Sequence, residues 1–365
     1  MAGRRRSPRA RGDSDDLAPV RASGDTPLSV SVVIPTKGGR AQLIERSIGR
    51  LLADPATTEV IVVLDHEDPD TEAMIRDVAR FDNRVRLERP PREPDPILDR
   101  EQLARDTGAE LARGEVILAL DDDVEPISRL VTGHAMRHLG ERDLVVLGYY
   151  PVRALEPSQR LEPASVLASK GYERACARLQ ENADNVLKGL WGGNISLRKE
   201  TWIRASRDRD PVGASYHVDQ EFGLRLRESG ARGVFAPELE GAHHHTGSAT
   251  TMLETARSSG FGQARLHAAY PQDVTDPEQV LAESSRLARL LLRGSGYRIG
   301  WIVMTRTAEA AGRVAHRYRL RRTEYVALVA LQRLGFARGV REGAVREGAR
   351  SQLSAGLEEP AETPR

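Results

Sequence analysis

The chain has one cysteine, Cys176, in 365 residues. That excludes an internal disulfide and any cysteine-rich zinc site, and it suits a reducing compartment. No apolar run reaches membrane-spanning length. The opening stretch MAGRRRSPRARGD is basic but lacks the apolar segment of a signal peptide. Nor is there an excess of one charge. Lys+Arg number 54 and Asp+Glu 53, a net +1, so no general affinity for nucleic acid is expected. No internal repeat is visible. What remains is a chain with 39% apolar and 29% charged residues, long enough for one large domain or two.

Alternation of short apolar runs with amphipathic stretches organises the first 150 residues. Strands are expected at SVSVVIP (29–35), EVIVVL (59–64), 85–87, EVILAL (115–120) and 144–149. Helices are expected at 41–52, 71–81 and 98–112, with a proline- and charge-rich loop, RPPREPDP, before the last. Strand and helix alternating at these lengths imply a parallel sheet covered on both faces. Beyond 151 the pattern loosens to a helix at 163–182, a strand at 192–197 and a helix at 218–229. From about Thr250 everything reads helical and rich in Arg, Leu and Ala. Residues 1–27 read as a disordered basic arm and 351–365 as a disordered tail.

The stretch GEVILALDDDVEP (114–126) carries the chemistry. A buried strand runs straight into Asp121, Asp122 and Asp123. In open α/β sheets ligands bind beyond the carboxyl ends of strands. Three adjacent carboxylates repel. A hard divalent cation would relieve that and take phosphate oxygens as further ligands. A solvated acidic loop is the plain alternative. Two other strands end in polar groups on the same expected edge: Pro35 and Thr36 after the first, Asp65 after the second.

With these motifs in order, the chain resembles the family 2 glycosyltransferases of GT-A fold. VVIPT (32–36) matches the end of their first strand, and residues 62–70 loosely match their VVDDGSTD. ARDTG (104–108) matches ARNxG, and GEVILALDDD (114–123) matches GEYIxFLDDD. GGNISLRK (192–199) and VDQEFGLRL (218–226) match GGNxxxRR and EDxELxxRL. The resemblance spans about 29–248. It implies an α/β fold of GT-A type: a doubly wound, mostly parallel sheet with flanking helices and a helical C-terminal extension. The implied division is a donor half (28–150), an acceptor half (151–248) and a helical region (249–350).

The resemblance also implies an activity, that of a hexosyltransferase-like enzyme. It would move a sugar from a nucleotide-diphosphate donor to an acceptor hydroxyl, with Mn2+ or Mg2+ and with inversion; retention is the alternative. Pro35, Thr36, Asp65, Arg105, Asp121 and Asp122 would hold the nucleotide. Asp121 and Asp123 would bind metal, joined by His243 and His245 of AHHHTGS (242–248). Asp219 would be the general base, with Glu221 as substitute. Trp191, Gly193 and Asn194 would line the sugar or acceptor, and Ser248 would touch phosphate. The acceptor would be lipid-linked or a small metabolite. The protein would be cytoplasmic; the basic C-terminal helices, arginines 293 to 322, would either form an ordinary helical cap over the acceptor cleft or touch the inner face of a membrane.

Departures from the pattern are local: PTKG for PTYN, LDHE for DDGS, VD for ED and ARD for ARN. They bear on nucleotide identity more than on chemistry. Two rival readings follow from them. One is a sugar nucleotidyltransferase, faintly echoed by TKGGR (36–40). The other is a catalytically inactive nucleotide-sugar-binding scaffold.

Overall fold

The computed structural model describes residues 28–91, 100–156, 158–207, 212–213, 215–245, 249–282 and 298–357. The basic arm, Ser248 and the leucine-rich patch at 287–292 therefore lie outside the described residues.

Eight strands form one sheet: β1 Val30–Thr36, β2 Thr57–Leu64, β3 Val85–Glu88, β4 Val116–Leu120, β5 Val124–Pro126, β6 Leu144–Tyr149, β7 Asn194–Arg198 and β8 Arg232–His243. Their order across the sheet is β3-β2-β1-β4-β7-β6-β8-β5. β1 to β4 are the alternating strands of the sequence, and β2, β1 and β4 pair in parallel. β1 and β4 are buried along their whole length, as the interior strands of a parallel sheet covered by helices must be. The second half departs from simple winding, because β7 runs antiparallel to both β4 and β6. The class is α/β as expected, with a reversed strand inserted at the centre of the sheet.

Helices α1 Ala41–Ala53, α2 Pro69–Phe81, α3 Arg100–Leu111 and α4 Leu130–Arg137 belong to this half. α5 Pro163–Glu181, α6 Asn185–Lys188, α7 Lys199–Arg207 and α8 Val218–Glu228 follow. α9 Ala249–Ala269, α10 Pro277–Ala282, α11 Arg298–Arg317 and α12 Arg321–Leu357 complete the described chain. The last helix passes Ser351 and runs to Leu357, so part of the segment expected as a tail is helical and the rest lies outside the described residues. The segment SQLSAGL (351–357) holds no proline, and Pro360 comes only after it.

The C-terminal helices are built into the domain. A Cβ at Gly339 would meet Arg257 O at 1.9 Å, and one at Gly260 would meet Phe336 O at 2.0 Å, so α9 and α12 touch backbone to backbone. α9 in turn receives the 3-10 turn Ser215–His217. His217 Nε2 lies 3.1 Å from Ser259 O, directly before α8 begins.

Candidate active site

Sheet register assembles the site. β1, β2 and β4 run in parallel, so Thr36, Asp65 and Asp121 emerge on one edge. β7 enters antiparallel with Asn194 opposite Leu120, which places Gly192 and Gly193 beside the aspartates. Asp121 N–H donates to Gly193 O at 3.1 Å. β8 leaves antiparallel to β5 with His243 opposite Val124, so the histidine run arrives next to Asp123.

The three aspartates diverge. Asp121 turns to Arg105 on α3, whose Nη2 donates to its Oδ1 at 2.7 Å. Arg105 is fully buried, and its Nη1 donates to Asp219 Oδ1 at 2.5 Å while Nη2 also reaches Glu101. One guanidinium thus ties the carboxylate at the end of β4 to a carboxylate in the first turn of α8. Desolvation works against the charge on Arg105, but Asp219, Glu101 and Asp121 outweigh it and hold the group well above its ordinary range. Asp219 Oδ2 accepts the Gly192 N–H at 2.8 Å. A Cβ at Gly192 would meet Asp219 Oδ1 at 2.7 Å and Arg105 Cζ at 2.8 Å. Asp121 and Asp219 still expose 26% and 28% of their side chains, so a small molecule can reach both. Burial, against the pull of Arg105, raises Asp121 above the usual carboxylate range.

Asp122 is buried and accepts from Thr36 Oγ1 at 2.6 Å and from Arg40 Nη1. Burial raises it despite Arg40. Asp123 meets Arg40 Nη2 at 3.2 Å and His243 Nε2 at 3.4 Å. Burial alone would raise Asp123; His243, Arg40 and His245 outweigh that and hold it below its usual range. Each aspartate therefore has its own positive or polar partner. Like-charge repulsion, which suggested a cation from the sequence, is already answered by arginines.

Arg40 is the group the sequence did not single out. Gly38 and Gly39 adopt left-handed φ values of 88° and 80°, open to glycine and strained for other residues. Gly39 N–H donates to Asp68, and this loop points Arg40 back over the aspartates. The only sign was the basic end of TKGGR. Tyr150 was also unforeseen. It is buried against the site, and a Cβ on Gly193 would meet its Cε2 at 2.9 Å.

Other expected site residues land as follows. Asp65 sits at the end of β2, with His66 Nδ1 2.6 Å and Arg100 Nε 3.8 Å from its carboxylate. Pro35 and Thr36 are buried, and the Thr36 hydroxyl is committed to Asp122. Trp191 is partly exposed and packs on Tyr172, ring centroids 5.0 Å apart.

Two of the expected site residues are buried. Asn194 does not face the cleft: it is fully buried, donates to Leu239 O at 3.0 Å and takes His134 Nε2 at 3.0 Å. Side chains alternate along β7, which puts Asn194 and Ser196 together against α4, where Ser196 Oγ lies 2.7 Å from both His134 and His138. Glu221 stands two residues past Asp219, about 200° around the helix, and is buried with Val212 N–H 3.3 Å away.

The four proposed metal ligands are not gathered as a set. Among the described residues the three-ligand cluster within 4.8 Å is Glu162, His316 and Glu324, at the far C-terminal hairpin. Asp121 is turned to Arg105. The remaining three still suit a cation. Asp123 and His243 stand side by side, and His245 Nδ1 is buried with no hydrogen-bond partner among the described residues. The His243 and His245 ring centroids lie 5.7 Å apart.

Residues 31–200 match the family described as Glycosyl transferase family 2. That stretch, a little under half of the chain, is similar to the family 2 glycosyltransferases. Its match ends at residue 200, so Asp219 and the histidines lie beyond it. No curated protein matches the chain. Among solved structures, the mannosyltransferase PcManGT from Pyrobaculum calidifontis, in complex with GDP-Man and Mn2+, is similar at 16% identity. It covers 84% of this chain and 86% of its own, with a TM-score of 0.49. GalNAc-T7 with UDP, GalNAc and Mn2+ is similar at 15% identity, covering 68% of this chain and 52% of its own, TM-score 0.45.

Proposed function

We propose that this glycosyltransferase moves a hexosyl group from a nucleotide-diphosphate sugar to an acceptor hydroxyl, with inversion. The observation that carries this reading is the buried Arg105 joining Asp121 to Asp219, 98 residues further along the chain, beneath Gly192 and Gly193. It puts a partly exposed carboxylate within the same cleft as the donor edge. Asp219 is the general base. Its Oδ1 and Oδ2 are fixed by Arg105 and the Gly192 N–H. A base so held takes the proton of the acceptor hydroxyl as that oxygen attacks the anomeric carbon. Asp65 receives the base of the nucleotide, while Thr36 and Asp122 shape the floor between them. Trp191 offers an exposed ring face beside the acceptor.

Asp123, His243 and His245 would hold Mn2+ in preference to Mg2+, since two imidazoles join one carboxylate. Such an ion, when bound, supplies Lewis-acid stabilisation to the departing diphosphate. Arg40 already bears on the same carboxylates, so the leaving group meets positive charge from the chain itself.

The test is donor turnover. Protein incubated with a panel of nucleotide sugars and Mn2+ should slowly release nucleoside diphosphate. Asp219→Asn should keep donor binding, read by calorimetry, and lose transfer by at least about a hundredfold, the usual contribution of a general base. Normal transfer by that variant would remove Asp219 from its role. Release of pyrophosphate would favour the nucleotidyltransferase reading, and binding without turnover the scaffold.

A further inference from the structure

The outward face of α11 interleaves exposed aliphatic side chains with arginines. Ile299, Val303 and Val314 are 77%, 58% and 54% exposed, and with Ala310 they recur at helical spacing on one stripe. The opposite stripe, Thr305, Gly312 and Ala315, is buried in the protein. Arg306 and Arg313 border the aliphatic stripe, and Arg317 closes its C-terminal end on the line of Ile299. Residues 298–322 hold seven arginines against one glutamate. That glutamate, Glu309, is already near Arg306 at 3.6 Å and Arg313 at 3.9 Å. The turn into α12 continues the pattern with exposed Tyr318 and Leu320.

A pocket of about 450 Å³ opens where α12 begins. Lys170, Arg321 and Arg322 supply its cations and Val166 and Val326 its apolar wall. Lys170 Nζ lies 4.7 Å over the Tyr325 ring. Glu324 there is paired with His316 at 3.0 Å. No described helix is long and apolar enough to cross a membrane.

We propose that the α11 face and this pocket form a docking surface for an anionic phospholipid bilayer. The aliphatic stripe enters the headgroup boundary, the arginines meet lipid phosphates, and the pocket takes one headgroup. Nucleic acid would use the arginines but gives no partner to Ile299, Val303 and Val314. A bilayer answers both features at once. The inference stands apart from the transferase reading, since none of these residues lines the cleft at Asp121 and Asp219.

The experiment is co-sedimentation of the full chain with vesicles of phosphatidylcholine alone or containing phosphatidylglycerol. Binding is expected to the anionic vesicles and to weaken with salt. Arg313→Gln and Arg317→Gln should each reduce partition about fivefold, and Ile299→Glu with Val303→Glu should abolish it. Circular dichroism should show these exposed substitutions leave the fold intact, and donor hydrolysis without vesicles should be unchanged. Failure to bind anionic vesicles would overturn the proposal, as would equal binding to neutral ones. So would a concentration-dependent dimer lost in the Ile299→Glu, Val303→Glu variant, or an RNA that outcompetes vesicles.

Discussion

Replacing Arg105 by Met should cost more stability than its single charge suggests. The guanidinium is fully buried and pairs with Asp121, Asp219 and Glu101. Glu101 is more than half exposed and water screens it, so it contributes little. Asp121 and Asp219 are three-quarters covered, and without Arg105 they face each other as like charges. Breaking a buried pair by removing one partner costs about 3–5 kcal/mol. Because both carboxylates retain some water contact, the low end applies, about 3 kcal/mol. At about 2 °C per kcal/mol for a chain of this size, Tm should fall by about 6 °C. Urea unfolding at pH 7 reads the loss directly. Combining Arg105→Met with Asp219→Asn should recover about 1–2 kcal/mol, since one of the abandoned charges is gone. A cost of Arg105→Met below about 1 kcal/mol, or strict additivity with Asp219→Asn, would refute the charge bridge as the organiser of the site.

Three further outcomes follow from the same geometry. Gly192→Ala would drive a methyl against Asp219 and Arg105; overpacking of this kind costs about 1–3 kcal/mol, and transfer should fall by at least tenfold with donor binding kept, as single-turnover assays would show. Arg40→Ala frees Asp123 from a competing cation and should tighten Mn2+ binding by about tenfold, measured by calorimetry or electron spin resonance; unchanged or weaker affinity would count against the Asp123 site. Stability should also fall in mild acid, because burial depresses His134 to about 3 and His138 to about 4. Both bind protons more readily unfolded, at a pKa of about 6.5, so their contribution is full above that value. It is lost as pH falls through about 6.5 toward 4, at up to about 1.4 kcal/mol per pH unit for each group. Asp121 and Asp122, held above their usual range, work the other way, so the histidine contribution is read as the difference between wild type and His134→Gln in urea midpoints from pH 7 to 5. Parallel curves for the two would exclude it.

The strands that lead to Thr36, Asp65 and Asp121 were legible in the sequence. Val30–Thr36, Thr57–Leu64 and Val116–Leu120 announce themselves because a strand buried on both faces must be continuously apolar, and their polar ends mark the edge. The order of those ends, PT, LDHE and DDD, pointed to the chemistry for the same local reason. β8 was missed, since Arg232–His243 mixes glycine, proline and charge and is only partly buried. Asn194 was read by motif and misplaced, because only the alternation along a correctly paired β7 shows that it faces His134. By itself the sequence determined the continuously apolar strands β1, β2 and β4, where they end and which carboxylates follow them. Tertiary structure alone decided which charges meet: Arg40 over Asp122 and Asp123, and Arg105 between Asp121 and Asp219. The physical reason is separation. Burial leaves a periodic trace in neighbouring residues, whereas a charge pair between Arg105 and Asp219, 114 positions apart, leaves none until the sheet closes and brings them within 2.5 Å.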